Sequence, residues 1–301
     1  MTVLLRRLIM AVAFVFLFSW QAAAQQKIVV FQSDFGTKDG AVAAMKGVAM
    51  DVSPELKLFD LTHEIPAYNI WEAAYRLVQT VPYWPAGTVF VSVVDPGVGT
   101  ERRSVVLKTK TGHYIVSPDN GTLTLVAESL GIAALRQIDE AVNRRRDSRQ
   151  SYTFHGRDVY AYTAARLAAG LITFEQAGQA LPDSVVAIAY QKAVKDGDVL
   201  KGNIPVLDVQ YGNVWTNIGA GLVRQLNLQY GDSLQVVIFH QNKKVYEGRM
   251  PYTETFGAVK KGQPLAYLNS LLQLSFALNQ DSFAAIYHLG SGSEWSVEIK
   301  K

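Results

Sequence analysis

From Lys27 to Gly170 the chain alternates two kinds of segment, and this alternation narrows the fold more than any other feature. Short apolar runs, KIVVFQS, LKLFDL and GTVFVSVV, have the length and content of buried strands. Between them, GAVAAMKGVAMDV and NIWEAAYRLVQTV carry small and apolar residues at helical spacing. Ser53-Pro54 stops the first, and the second ends before Pro82. RSVVLKTKTGHYIVS predicts a hairpin turning at Thr111-Gly112. GTLTLVAESLG predicts a short helix closed by Gly131, and GRDVYAYTAARLAAG a longer one closed by Gly170. Strands alternating with helices predict an α/β layer domain with a mainly parallel sheet. After about residue 183 the pattern changes. DGDVLKGNIPVLDVQ, SLQVVIFH, KKVYEGRM, PLAYLN, QLSFAL, FAAIYHL and WSVEIK read as short strands between Gly, Asn and Asp turns, as in an all-β, barrel-like domain. The expected division is an α/β domain over 25–190 and a β-barrel domain over 191–301.

Residues 1–24 stand apart. Arg6 and Arg7 precede an apolar run from Leu8 to Trp20, and Ala22-Ala23-Ala24 follows. This is the pattern of a cleavable secretory signal, so the chain is expected to be exported, to the periplasm, with no stable membrane anchor after cleavage. Cleavage after Ala24 would remove two arginines and leave 27 basic against 26 acidic residues. A nearly neutral chain without a basic stripe carries no nucleic-acid signature. The sequence has no cysteine, which excludes disulfides, thiolate metal sites and cysteine nucleophiles. His63, His113, His240 and His288 show no ligand spacing, so no metal is expected.

In open α/β sheets, ligands bind beyond the carboxyl ends of the strands. Three strand ends here are polar: Ser33-Asp34, then Asp60 with Thr62-His63, then Asp95. Asp34 is placed to accept two ribose hydroxyls. Asp39 lies near a helix start, where an acid caps free N–H groups. In VVDPGVGTERRS a core strand stops at Asp95, turns, and presents Arg102 and Arg103. That is either a surface turn with a salt bridge or part of a reaction centre. The second reading requires His155, from TFHGRD, to meet Asp95 and Arg102. A carboxylate, a permanent cation and a group titrating near neutrality would then hold a water and accept its proton. In DVQYGNVWTNIG, Tyr211 and Trp215 flank a Gly-Asn turn. They read either as a hairpin with half-buried aromatics or as a slot for a flat base whose edge Asn213 reads. NRRRDSRQS, 143–151, reads as a basic loop, solvated or mobile.

Taken in order, SDFGTKDG, DLTHEI, VVDPGVGTERRS, SPDNG, TFHGRD, YGNVWTNI and YLNS resemble the S-adenosylmethionine hydroxide adenosyltransferases, relatives of the adenosyl fluoride and chloride synthases. The resemblance runs from about residue 27 to the C-terminus. It implies an α/β domain followed by a β-barrel, and a homotrimer with sites between subunits. It implies hydrolysis of S-adenosylmethionine to adenosine and methionine by water attack at the ribose C5′, with no cofactor. The hydrolytic set falls on Asp95, Arg102 and His155, and the ribose acid on Asp34. Asp39, Asp208 and Ser270 match positions that hold the methionine part. Tyr211, Asn213 and Trp215 match the adenine slot, and Tyr68 an aromatic of the pocket wall. The halide-using relatives carry a tyrosine where Asp95 stands and a serine where Gly156 stands, which favours water here. Leu271 departs from the arginine of the fluoride synthase. The alternative function is an exported binding protein that captures a nucleoside or adenosyl ligand without turnover.

Overall fold

The computed structural model describes residues 27–301, so the expected signal at 1–24 lies outside the described residues. Sixteen strands are described: β1 Ile28–Ser33, β2 Lys57–Thr62, β3 Val89–Val93, β4 Ser104–Thr109, β5 Tyr114–Pro118, β6 Ile132–Gln137, β7 Ala180–Leu181, β8 Val194–Asp196, β9 Val199–Asn203, β10 Val206–Leu207, β11 Val214–Gly219, β12 Ser233–His240, β13 Lys243–Pro251, β14 Pro264–Leu268, β15 Gln273–Leu278 and β16 Trp295–Lys300. The chain divides into two compact units. One takes the chain up to Tyr68 together with Thr80–Asn120 and Val126–Ser184. The other takes Asn69–Gln79, Gly121–Leu125 and Val185–Lys301.

The first unit is built on one sheet of order β2-β1-β3-β5-β4-β6-β7. β1 runs parallel to β2 and to β3, and β3 parallel to β5. β4 pairs antiparallel with both β5 and β6, so β6 points with the parallel set again. The expected hairpin at Gly112 is the β4–β5 pair, and Gly112 adopts the left-handed φ of 87° that the turn demands. Val29 and Phe31 of β1 and Val89, Val91 and Val93 of β3 alternate onto a single core. Helix α1, Ala41–Val52, supplies Met45 and Ala49 to that core. The TFHGRD segment adds to it as a π-helical turn, Gly156–Ala161, running into helix Tyr162–Ala168. Small residues there, Ala161, Ala164, Ala165 and Ala168, let the helix lie close on the strands.

The second unit contains two antiparallel sheets, β10-β11-β15-β14 and β13-β12-β16-β9-β8. Alternate residues, Leu234, Val236 and Ile238 of β12, Leu274, Phe276 and Leu278 of β15, and Val297 and Ile299 of β16, fill one core. The unit is barrel-like in packing, with two sheets rather than one closed ring of strands. FAAIYHL is not the strand its apolar run predicts. Phe283–Ile286 is a helical turn: the Ser282 hydroxyl accepts from the Ala285 N–H at its start, and Phe283 packs among Tyr246, Phe276 and Tyr287. A short apolar run without alternation fits either state, and here the serine cap decided it.

Candidate active site

The turn after β3 is shaped so that an arginine folds back on the strand end. The Val98 N–H donates to the Asp95 carbonyl, and the Thr100 N–H to that of Gly97. A side chain at Gly97 would crowd Arg102, with a Cβ only 3.2 Å from Arg102 Cγ. Arg102 returns along this path. Its Nε donates to Asp95 Oδ1 and Oδ2 at 2.9 and 3.1 Å, and its Nη2 to Oδ2 at 2.6 Å. The same Nη2 lies 2.8 Å from Nδ1 of His155, a residue far along the chain, at the head of the π-helical turn. The three side chains expected to converge do so, and are nearly closed to solvent: Asp95 is 5%, Arg102 10% and His155 5% exposed.

Four further residues complete the network. Arg102 Nη1 donates to Ser104 Oγ at 3.0 Å, and that hydroxyl donates to Glu140 Oε1 at 3.1 Å. Arg144 Nη2 donates to Glu140 Oε2 and lies 2.8 Å from His155 Nε2. Tyr160 donates to Asp95 Oδ2 at 3.3 Å. Arg144 belongs to the basic loop expected to be solvated, and that expectation fails for it: its side chain is only 3% exposed. The loop's outer members Arg145, Arg146 and Arg149 are exposed as predicted. A glutamate four residues before an arginine is a helical-pair spacing, and it was the available signal for this Glu140–Arg144 pair.

Two carboxylates and two guanidiniums balance, so the cluster is neutral when the imidazole is neutral. Burial first, then the charges of Arg102 and Arg144, hold His155 below the ordinary histidine range; Glu140 and Asp95 oppose them only in part. A neutral imidazole offers one lone pair, whereas guanidinium nitrogens only donate. With a guanidinium at each ring nitrogen, one of the two contacts sets N–H against N–H. Burial, and next the Asp95 charge, push the Tyr160 phenol far above its usual range, so it remains a donor.

A cavity of about 280 Å³ opens onto this network. Asp95, His155 and Gly156 line it together with Asp34, Tyr68, Val93 and Phe154. Asp34 Oδ2 accepts the Tyr68 N–H at 2.9 Å, which anchors Tyr68 in a left-handed conformation with φ 67° and an exposed ring. Asp39 sits at the start of α1 and accepts the Ala41 N–H, the capping arrangement its position suggested. Nearby, Ser33 Oγ, His63 and Asp60 form a relay with the connectivity of a nucleophile triad, at 2.7 and 3.0 Å. Ser33 has no exposed surface and also accepts the Phe35 N–H, so this relay braces the strand ends.

In the second unit, Asp208 organises the Gly-Asn turn. Its carboxylate accepts from the backbone of Gln210 and Tyr211 and from Asn213 Nδ2. Gly212, at φ 67°, must be glycine, because a Cβ would stand 2.0 Å from Ser282 Oγ. Tyr211 and Asn213 line a cavity of about 540 Å³ with Phe256, Asn279 and Gln280. Trp215 is not among its lining residues. It packs in the cluster of Trp71, Tyr75 and Val206, its indole N–H buried without an acceptor. Asp208 itself lines a separate cavity of about 440 Å³ with Glu72 and Arg76. Ser270 stands on the exposed turn between β14 and β15, which Asn269 shapes by accepting from Leu271 and Gln273. Among the described residues, no three His, Cys, Asp or Glu side chains gather to hold a metal.

The model of the SAM hydroxide adenosyltransferase N-terminal domain matches residues 29–178, and that of the C-terminal domain residues 202–296. The chain belongs to this family. It is 39% identical to the (R)-S-adenosyl-L-methionine hydrolase of Methanocaldococcus jannaschii over 71% of this chain and 74% of that one. It is 30% identical to the fluorinase of Actinopolyspora mzabensis over 88% and 95% of the two chains. Among solved structures, an uncharacterized conserved protein of Thermotoga maritima superposes with a TM-score of 0.81 at 33% identity, covering 91% of this chain and all of that one. The family thus includes relatives named as hydrolases and relatives named as fluorinases.

Proposed function

We propose that this protein hydrolyses S-adenosylmethionine to adenosine and methionine, with water attacking the ribose C5′. The observation that carries the reading is the single cavity on which Asp34, Asp95 and His155 meet, with Arg102 locking the Asp95 carboxylate from behind. Asp34 takes the ribose hydroxyls. Asp95, its orientation fixed by two parallel N–H···O bonds, accepts one hydrogen of the water and turns an oxygen lone pair toward C5′. The new O–C5′ bond forms as C5′–S breaks. The bonding pair leaves with sulfur as a neutral thioether, so the leaving group needs no acid.

Water is the weak partner, with a pKa of about 15.7. Its proton passes into the Asp95–His155 cluster. The positive charge that arises is stabilised by Asp95 and by Glu140, whose Oε1 lies 3.9 Å from His155 Nδ1. A positioned base of this kind contributes roughly 10²–10⁴-fold. Tyr211 and Asn213 form the adenine contact. Asp39, Asp208 and Ser270 are assigned to the methionine part on the family resemblance alone. Trp215 is assigned to the adenine slot on the family resemblance alone. Homotrimer assembly and export to the periplasm belong to the same reading, and export requires a source of the substrate outside the cytoplasm.

The test is to incubate the purified protein with S-adenosylmethionine in heavy-oxygen water. Adenosine labelled at its 5′-oxygen is the expected product. Tight binding with no adenosine would instead establish the ligand-capture alternative, and a halogenated nucleoside formed in halide buffer would overturn the choice of water.

A further inference from the structure

Arg144 faces a second cavity. Of about 580 Å³, it is lined by Arg144, Arg145, Arg146, Arg149 and Arg166, with Asp147 the one acid among its lining residues and Tyr162 on its wall. Arg149 and Arg166 are already braced, Arg149 by the Ala141 carbonyl and Arg166 by Val142 O and Asn143 Oδ1. The exposed guanidiniums of Arg145 and Arg146 have neither hydrogen bond nor ion pair among the described residues. Arg144, buried and stacked over Tyr152, has an Nη1 with no acceptor at all. Five arginines line this cavity with one carboxylate, Asp147, among them, and Glu140 pairs Arg144 from outside the lining, so the cavity is strongly cationic. Guanidinium forks match tetrahedral oxyanions, and the room exceeds what one such group fills.

We propose that this arginine pocket binds a multiply charged phosphate-type oxyanion, and that its occupancy is transmitted through Arg144 to His155. The route is short. Arg144 Nη2 touches His155 Nε2, and one of the two guanidinium contacts to that ring opposes N–H to N–H. An anion seated in this cavity offsets part of the Arg144 charge that presses on the ring. His155 is faced by Arg102, Arg144, Glu140 and Asp95, with the Tyr152 and Tyr160 rings beside it, and only Arg144 also lines the second cavity. Anion binding therefore raises the affinity of His155 for a proton and makes it the better acceptor. The consequence for catalysis rests on the hydrolase reading; the binding does not.

Binding is measured without S-adenosylmethionine. Pyrophosphate is titrated into the intact protein by calorimetry at constant ionic strength, beside inorganic phosphate and chloride, and the protein is floated with phosphatidylglycerol vesicles. Saturable pyrophosphate binding, weakened at least about tenfold in the Arg145→Gln/Arg146→Gln variant, is the expected result for a soluble anion. Vesicle flotation lost in the same variant, without pyrophosphate binding, would assign the oxyanion to a lipid headgroup. Binding matched by chloride, binding unchanged in the variant, or no binding in either arm would overturn the site. The coupling is read by nuclear magnetic resonance of the His155 ring. Its titration midpoint moves upward on saturation with whichever probe binds, and a midpoint that stays put overturns the transmission. Because Arg145 and Arg146 are exposed, their replacement leaves the fold intact.

Discussion

The two functional regions are built on opposite plans. Around His155, side chains from the turn over 95–104, from the pair Glu140 and Arg144, and from the π-helical turn interlock largely out of solvent, and each holds another in place. Around Tyr211, one six-residue stretch from Asp208 to Asn213 folds on its own carboxylate and offers an exposed ring, 66% accessible, beside a wide cavity. Chemistry on a poor nucleophile needs charges held rigidly and away from water, whereas a flat base needs only a surface and a hydrogen-bonding edge. Damage to the first region should therefore spread to stability and rate together, and damage to the second should stay local.

Asp95→Ala tests this hardest. Loss of the carboxylate should lower adenosine formation about 10²–10⁴-fold in initial-rate chromatography. It should also cost about 3–5 kcal/mol in denaturant unfolding, because Arg102 is left buried without its partner. A mutant of full stability would mean that the ion pair is not structural. Tyr211→Ala is the contrasting case: an increase in KM of roughly tenfold from lost stacking, kcat nearly unchanged, and stability within about 0.5 kcal/mol.

The pH dependence sharpens the comparison further. His155 and Glu140 both have pKa values below their ordinary 6.5 and 4.5, so each binds fewer protons folded than unfolded as pH falls through its window. The stability they contribute is present above those values and is lost on acidification, which thermal melts across the acid range would show. The acid limb of kcat/KM should lie below pH 6.5 for the same reason. Arg144→Gln removes a cation and moves that limb up; Glu140→Gln removes an anion and moves it down. Identical limbs in both variants would place the titrating group elsewhere. Gly156→Ser tests packing beside the network rather than its charges. Its Cβ would stand 3.2 Å from Phe35 and Val93 and 3.3 Å from Met45 Sδ, so a loss of about 1–3 kcal/mol is expected in the melt.

Much of this was legible in the residues. The strand ending at Asp95, the turn with Gly97 and the returning arginine are a local pattern, and the elements from β1 to the helix at Tyr162 follow from periodicity and glycine stops. His155 could be proposed as the third partner, but only on the condition that a distant segment met the turn. Glu140 and Arg144 carry a pair spacing, but a run of arginines reads as solvated, and the run masks it. Trp215 was assigned to the base slot by its place in the Gly-Asn segment. Alternation along β11 puts Val214 and Thr216 on one face and Trp215 on the other, and only the tertiary packing shows that Trp215 lies against Trp71 and Tyr75.

By itself the sequence determined the layer order of the two units, the turn chemistry, and the kinds of group available at each strand end, because these depend on residues within a few positions of one another. Only the tertiary structure decided that Arg144 is buried against His155 and that Tyr211 and Trp215 part company. The charge state and orientation of a buried polar side chain are set by whichever segments pack against it, and no local pattern specifies those.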